Sequence, residues 1–205
     1  MMTNYDFAVA VLGQDFISPE EIMKFRKGII YTDEQLAQFG KTFPTQEIIL
    51  WCRDNDYILV AGPNRPMSLL EIRDMKNDYF YSKEGGWYAD VDQKFSQKEK
   101  VETRWYMIRK NPVPESTHKN WKEQQSLISD VETVPNLAEF IWAITTYKAV
   151  RNTYLFRDGI YVRTSSLCLN GNHAYVSYSG DEGLGIDNYW DGNRHSNLSL
   201  SVARK

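Results

Sequence analysis

Two combinations of side chains in the last third of the chain have the residue types that nucleophilic catalysis requires. The combinations are Cys168 with His173, and Ser165 or Ser166 with His195 and Asp191. Such a mechanism needs a base within hydrogen-bonding reach of the nucleophile, oriented by a third group. Neither combination lies in a nucleophile elbow or another known local context. Binding without catalysis is therefore the favoured prediction, and an enzyme is the alternative.

Four carboxylates lie in the same region of the sequence: Asp181, Glu182, Asp187 and Asp191. Paired carboxyls about 5 to 9 Å apart could hydrolyse a glycosidic bond, but the flanking glycines and asparagines fit turns equally well. A calcium site needs six or more oxygens, of which these residues supply only some. No glycine pattern of a phosphate-binding or dinucleotide-binding loop is present. We therefore predict neither a metal nor a cofactor.

The charge balance argues against nucleic acid as a partner. The chain has 205 residues, with 24 Lys and Arg against 27 Asp and Glu, which gives a net charge of −3. The most basic run, residues 94–109, also contains Glu99 and Glu102, so a solvated loop or hairpin is predicted there. No segment approaches the roughly 20 apolar residues of a membrane span, and no secretory signal is recognisable at the N-terminus. We expect a cytoplasmic protein without nucleic-acid or membrane partners.

The two cysteines are predicted to be free. Cys52 lies in a helical pattern and Cys168 beside a strand, far apart in the sequence. Neither the number nor the spacing suits a disulfide framework or a metal site. Two buried, unpaired thiols are the expectation.

The first third of the chain is predicted to be mainly helical. Ser18 and Thr32 each begin a capping box, and Pro44 opens a third helix. Buried strands are predicted at Phe7 to Leu12 and Tyr57 to Ala61. The segment Gly62-Pro63-Asn64-Arg65-Pro66 is a candidate domain joint, so residues 1–65 form a small helical unit and residues 66–205 a second domain.

The second domain is predicted to mix helices and short strands, giving an α+β class. Helices should follow the capping residues Ser68, Asn120 and Asn136, and the last of these should carry a core-facing stripe of Phe140, Ile141, Ile144, Tyr147 and Val150. The segments predicted as strands are rich in aromatic and β-branched residues: 79–81, 85–89, 104–109, 155–156, 159–164, 174–178, 183–186 and 198–203. The turn Glu84-Gly85-Gly86 suggests a hairpin.

This order of elements resembles that of C-type lectin-like domains of the formylglycine-generating, sulfatase-modifying type. That family opens its second helix with a Leu-Pro-Thr-x-x-Glu-Trp phrase, which Val134-Pro135-Asn136-Leu137-Ala138-Glu139-Phe140 resembles. Asn120-Trp121-Lys122-Glu123 is similar to the start of the first helix. The resemblance covers about residues 66–205 and implies two helices packed on a twisted antiparallel sheet. An unrelated α+β domain is the alternative.

The departures from that family bear on function. The formylglycine-generating enzymes depend on reactive cysteines in the C-terminal part of the domain, and here that part contains only Cys168. Calcium-dependent lectins use a Glu-Pro-Asn loop, which is absent. The oxidase activity and the calcium site are therefore not expected.

Within the same fold, the chain more closely resembles the variable proteins of diversity-generating retroelements and phage receptor-binding proteins. These present a binding surface of Asn, Tyr, Ser, Asp and His near the C-terminus. The corresponding candidate ligand-binding residues here are Asn188, Tyr189, Trp190, Asp191, Asn193, Arg194, His195 and Asn197. The resemblance implies a non-catalytic protein that binds a protein or carbohydrate. The alternatives are a polar hairpin loop without a binding role, an enzyme of the sulfatase-modifying fold with an altered active site, and a phage structural or assembly protein.

Overall fold

Side-chain caps begin most of the helices. Ser18, Thr32, Ser68, Asn120 and Asn136 each accept a hydrogen bond from the backbone N–H three residues on, and the side chain of that third residue bonds back to the capping backbone. These bonds satisfy N–H groups that the first turn of a helix leaves unpaired. The helices predicted after these five residues are confirmed.

The computed structural model describes residues 2–83, 85–156, 159–178 and 180–205. Its helices are α1 (Asn4–Leu12), α2 (Pro19–Phe25), α3 (Asp33–Lys41), α4 (Gln46–Asp54), α5 (Leu69–Met75), α6 (Lys94–Lys98), α7 (Trp121–Gln125) and α8 (Leu137–Arg151). Its strands are β1 (Phe16–Ile17), β2 (Tyr57–Ala61), β3 (Trp105–Arg109), β4 (Glu132–Thr133), β5 (Tyr161–Leu167), β6 (His173–Tyr178), β7 (Leu184–Asn188), β8 (Leu198–Leu200) and β9 (Ala203–Arg204). The predicted α+β class is confirmed. Among the described residues, no helix combines the length and the hydropathy that crossing a membrane requires.

The strands form two sheets, and both are mixed. One has the order β1-β2-β3-β9-β4 and the other the order β7-β6-β5-β8. Strand β1 runs parallel to β2, and β8 runs parallel to β5, whereas the remaining pairs are antiparallel. The twisted antiparallel sheet predicted for residues 66–205 is therefore wrong in the pairing of β8, which runs parallel to β5. A parallel pair needs a long connection, and the segment between β7 and β8 provides part of it.

The first sheet joins the two parts of the chain that the sequence suggested as separate domains. Strand β2 precedes residue 65 and β3 follows it, yet the two pair over five residues from Tyr57↔Arg109 to Ala61↔Trp105. In addition, the Trp142 indole of α8 donates a hydrogen bond to Ala61 O at 2.9 Å. The boundary at residue 65 stays a prediction, with extensive contact across it.

Helix α8 lies at the centre of the core. Of its predicted stripe, Phe140, Ile141, Ile144 and Tyr147 are buried, whereas Val150 is half-buried. The burial extends beyond that stripe, since Trp142, Ala143, Thr145 and Thr146 are buried as well. A helix that is apolar on all sides is buried in the core. Here α2, α5, α6 and strands of both sheets contact α8.

Several predicted strands are not strands. Phe7 to Leu12 lies in α1, which Thr3 caps through Asp6, because a short apolar run does not by itself distinguish a strand from a buried helix. Single 3-10 turns occupy Asn77–Tyr79 and Trp87–Ala89.

The other corrections concern the same aromatic-rich regions. Phe80 makes one isolated bridge to Leu184, and residues 155–156 form a bend. Glu84, in the suggested hairpin turn, lies outside the described residues. In these segments the aromatic residues reflect burial, as for Phe80 and Tyr88, and do not indicate sheet pairing.

The predicted strand at residues 198–203 is divided between the two sheets. Strand β8 pairs with β5, and after Ser201 and Val202 strand β9 pairs with β3 and β4. Every residue from Leu198 to Ala203 is buried. This segment therefore links the two sheets through the core.

Candidate binding surface

The eight predicted site residues lie together in one connection. Asn188 is the last residue of β7, and the others lie in residues 189–197, which we call the Trp190 loop. The prediction of a hairpin is wrong here, because the loop leads from the edge strand β7 to β8, which pairs with β5 at the opposite edge of the sheet. The loop therefore passes the ends of β6 and β5.

Trp190 is the most exposed aromatic residue described in the loop. Its relative exposure is 69%, and that of the neighbouring Tyr189 is 37%. Gly192 lies directly against the indole: a Cβ atom at this position would be 2.5 Å from Trp190 Cζ2. Only glycine therefore leaves room for the ring in this orientation, which leaves most of the Trp190 surface open to solvent.

A buried arginine holds the backbone of the loop. The Arg163 Nη2 atom donates to Trp190 O at 3.0 Å, and Nη1 donates to Gln124 Oε1 at 3.0 Å. Arg163 is fully buried in β5, and this burial lowers the pKa of its guanidinium, although the nearby Asp191 carboxylate opposes the shift. The carbonyl of Trp190 thus accepts a hydrogen bond from the buried Arg163 guanidinium, while the Trp190 side chain is exposed to solvent.

A histidine and a tryptophan hold the next residue. Asp191 Oδ2 lies 2.6 Å from His173 Nδ1, and Asp191 Oδ1 accepts from the His173 backbone at 3.0 Å. The His173 ring stacks on Trp121 with centroids 3.6 Å apart, and Trp121 N donates to Asp191 O at 2.8 Å. Burial lowers the pKa of His173, and Asp191 acts in the opposite direction. The Asp191 carboxylate is therefore occupied in fixing the loop, although the sequence placed it among the ligand-binding residues.

Arg194 forms a two-pronged ion pair with helix α7. Its Nε and Nη2 atoms donate to Glu123 Oε2 and Oε1 at 2.9 and 2.5 Å. Glu123 Oε2 also accepts from Asn120 N at 2.9 Å in the capping box of α7. Both partners of the ion pair remain accessible to solvent. Arg194 is thus oriented at the rim without being buried.

An aromatic row runs from the sheet to the loop. The rings of Tyr175 and Tyr161 stack 5.1 Å apart, His195 lies 6.1 Å from Tyr161, and Tyr189 lies 5.6 Å from His195. Sequence analysis did not include Tyr161 or Trp121 in the site. The residue types carried no signal for them, because Tyr161 and Tyr175 become diagonal neighbours only through the register of β5 and β6.

The remaining polar residues of the site bond to the surrounding structure. Asn188 Oδ1 accepts from Asn170 Nδ2 at 2.8 Å, and Asn197 O accepts from Tyr161 N at 2.9 Å. Asn193 N donates to Trp190 O at 2.9 Å. The backbone bonds of Asn193 and Asn197 fix the path of the loop, and the side chains of these two residues retain contact with solvent.

The structure does not assemble the predicted catalytic combinations. His173 Nδ1 faces Asp191, and burial raises the pKa of Cys168 to about 12, so this thiol is not activated. Ser166 is buried, donates to Glu99 and accepts from Leu137 N. No hydrogen bond between described residues joins Cys168 to His173, or either serine to His195. The prediction that both cysteines are buried and free is confirmed.

The acidic residues do not gather into a metal site in the described part of the chain. No group of three or more His, Cys, Asp or Glu side chains is arranged there to hold a metal ion. Asp187 Oδ1 accepts from Asn188 N at 2.7 Å, and Asp191 pairs with His173. The side chain of Asp181 lies outside the described residues.

Comparisons with known proteins add no family. No protein-family model, curated protein or solved structure matches the chain.

Proposed function

We propose that the protein is a non-catalytic binding protein that presents the Trp190 loop to a protein or carbohydrate partner. The observation that carries this proposal is the exposure of Trp190, 69%, on a loop whose backbone carbonyls at Trp190 and Asp191 accept hydrogen bonds from Arg163 and Trp121. Exposed aromatic residues rimmed by polar groups are characteristic of interaction sites.

The rigidity of the loop favours recognition. Binding costs free energy when it orders a mobile segment, and a prearranged loop avoids much of this cost. Arg163 fixes the carbonyl of Trp190, the His173 pair fixes Asp191, and Glu123 orients Arg194. A partner therefore meets a loop whose backbone path and whose Arg194 guanidinium are already set.

The chemistry of the surface suits either partner class. Tryptophan and tyrosine offer large contact area at low entropic cost, and asparagine offers adaptable hydrogen bonding. The order of α7, α8 and the following strands is compatible with the resemblance to C-type lectin-like domains. That resemblance supports a binding role at this end of the molecule, with a diversified or phage-related receptor as the more specific form of the proposal.

Paired arrays of defined glycans and of purified proteins test the proposal. The full chain should bind members of one array, and Trp190→Ala should abolish that binding while the free energy of unfolding changes by about 1 kcal/mol or less. Which array gives the signal decides between carbohydrate and protein.

Tyr81→Ala is the matched control. Tyr81 is also an exposed aromatic, at 63%. Its backbone N–H bonds to Leu184, the first residue of β7, whereas the Trp190 loop follows the last residue of that strand. This variant should bind as the unaltered chain does. Equal binding by Trp190→Ala and the unaltered chain would contradict the proposal, and so would unfolding of Trp190→Ala, which would make the residue part of the core.

A further inference from the structure

A second concave site lies away from the Trp190 loop, between the end of α2, the end of α5 and the last turns of α8. It is a cavity of about 250 Å³ lined by Phe25, Arg26, Lys27, Met75, Lys76, Tyr79 and Ala149. None of these residues belongs to the candidate binding surface. The cavity can hold several waters or a small organic molecule, because one water occupies about 30 Å³ in the liquid.

The wall of this cavity contains a buried cation. Arg26 caps the C-terminus of α2 and is only 6% exposed. Its Nη1 atom donates to Thr145 Oγ1 at 3.1 Å and to Thr146 Oγ1 at 2.6 Å. Among the described residues, the Nη2 atom bonds to the thioether sulfur of Met75 at 3.9 Å, which is a weak acceptor, and to no other group. Met75 lines the cavity.

Arg26 has no carboxylate partner in the part of the chain that the structure describes. Within residues 2–83, 85–156, 159–178 and 180–205, no Asp or Glu oxygen lies within 4 Å of its guanidinium. Burial lowers the pKa of Arg26 to about 10, so the group is still a cation at neutral pH. A buried charge is costly unless it is paired. The Trp142 ring, 4.1 Å from the guanidinium, offsets only part of that cost.

The rest of the lining sets the kind of anion that fits. Lys27 and Lys76 add two further cations, and no lining residue among those described is acidic. Lys76 is paired with Asp78 at 2.9 Å, whereas Lys27 forms no ion pair among the described residues. Phe25, Tyr79 and Ala149 supply aromatic and aliphatic walls. A site with one buried guanidinium and apolar walls is complementary to a molecule with one anionic group and an apolar body.

We propose that this cavity binds a small carboxylate with an apolar body, with the carboxylate paired to Arg26 and the body between Phe25, Tyr79 and Ala149. The guanidinium donates to the carboxylate oxygens from Nη2, which in the ligand-free protein meets the weakly accepting Met75 sulfur. The two lysines at the rim attract the anion and do not define its orientation. This site is independent of the function proposed for the Trp190 loop.

Titration of the full chain with benzoate tests the assignment, with neutral benzamide as the matched control ligand. Benzoate should raise the melting temperature saturably and shift the side-chain NMR signals of Arg26, and benzamide should do neither. Inorganic phosphate and chloride at equal ionic strength should give smaller, non-saturating changes. The assignment is overturned if benzoate gives no saturable response, if benzamide matches it, or if phosphate alone is effective.

Two variants separate binding from a structural role of Arg26. Arg26→Met should weaken benzoate binding by about tenfold or more, because a charge-assisted hydrogen bond is lost. Ala149→Leu fills the cavity without altering the guanidinium, so it should abolish benzoate binding while the ligand-free protein stays folded, and it provides the test if Arg26→Met does not fold. Unchanged benzoate affinity in Ala149→Leu, or in folded Arg26→Met, would show that the anion binds elsewhere and would refute the proposal.

Discussion

His173 and Asp191 are joined twice, through the imidazole at 2.6 Å and through the His173 backbone N–H at 3.0 Å. The first residue of β6 is thereby attached to the middle of the Trp190 loop. Because Trp121 stacks on the same imidazole, helix α7 belongs to this junction as well. The histidine thus connects a strand, a helix and the loop that carries the proposed binding residue.

The titration of His173 should make the protein less stable in mild acid. Burial holds the pKa of His173 below its ordinary value of 6.5, despite the opposing effect of Asp191. The unfolded chain therefore takes up this proton at a higher pH than the folded protein does. The contribution to the free energy of unfolding is complete above about pH 6.5 and is lost as the pH falls through that value towards the folded pKa.

Urea unfolding of the unaltered chain and of His173→Phe between pH 5 and 8 measures this contribution. Phenylalanine can retain the stack on Trp121 but does not titrate, so the variant should lose the part of the pH dependence that belongs to His173. In NMR titrations, Asp191→Asn should lower the pKa of His173 further, since the carboxylate raises it. A higher pKa in that variant would contradict the proposed balance of burial and charge.

Gly192→Ala should impair binding by displacing Trp190. The added methyl would lie 2.5 Å from Trp190 Cζ2, so the indole has to rotate away, but the backbone at Gly192 is not in the left-handed region. We expect weaker binding to the partner found on the arrays, with a change of about 1 kcal/mol or less in stability. Gly40→Ala is the control, because nothing lies within 4 Å of its added Cβ. Full binding by Gly192→Ala would show that the orientation of the indole is irrelevant.

Glu99→Gln should stabilise the protein at neutral pH. Burial and the nearby Glu139 carboxylate raise the pKa of Glu99, although the Ser166 hydroxyl opposes this. The folded state therefore holds the proton to a higher pH than the unfolded chain, and ionisation costs stability as the pH rises above about 4.5.

The amide variant can still accept the hydrogen bond from Ser166 and carries no charge. The difference in melting temperature between Glu99→Gln and the unaltered chain should be positive at pH 7 and approach zero at pH 4. Differential scanning calorimetry at the two pH values measures the difference. An advantage of equal size at both pH values would assign the effect to packing instead.

Removing the eight residues Leu198 to Lys205 should abolish cooperative unfolding. This deletion takes away β8 and β9, which pair with both sheets, together with the buried Val202. Removing Lys205 alone is the control. This residue is exposed and lies outside the strands, so its removal costs only the bonds to Val131 and Asp130 and should leave a melt close to that of the full chain. A cooperative melt in the longer truncation would show that the segment is dispensable to the core.

The sequence predicts well those features that depend on a few neighbouring residues. Capping boxes at Ser18 and Asn136 define helix starts because both hydrogen bonds join residues three apart. Thr3 and Asp6 form the same pattern, and this signal would have shown that residues 7–12 are helical. The apolar run alone favoured a strand, since it is too short to have a clear period.

Much of the site could not be predicted, because its geometry depends on distant pairings. The exposure expected for Trp190 is observed, but Arg163, His173 and Trp121 reach the loop only through the register of β5 and β6 and the position of α7. The role of Asp191 in fixing the loop has the same origin. The residue types predicted a binding surface in this segment. Which of its side chains are exposed, and which are bonded to the rest of the protein, depends on the order of the strands in the sheet.

The division of residues 198–204 between the sheets also constrains when the protein can fold during its synthesis. Strand β9 pairs with β3, made long before it, and β8 covers the edge of β5 opposite β6. Until this segment emerges from the ribosome, the nascent chain has open edges in both sheets, where unpaired backbone groups can bond to other chains. A polypeptide that ends before residue 198 should therefore be prone to aggregation, even if its helices form.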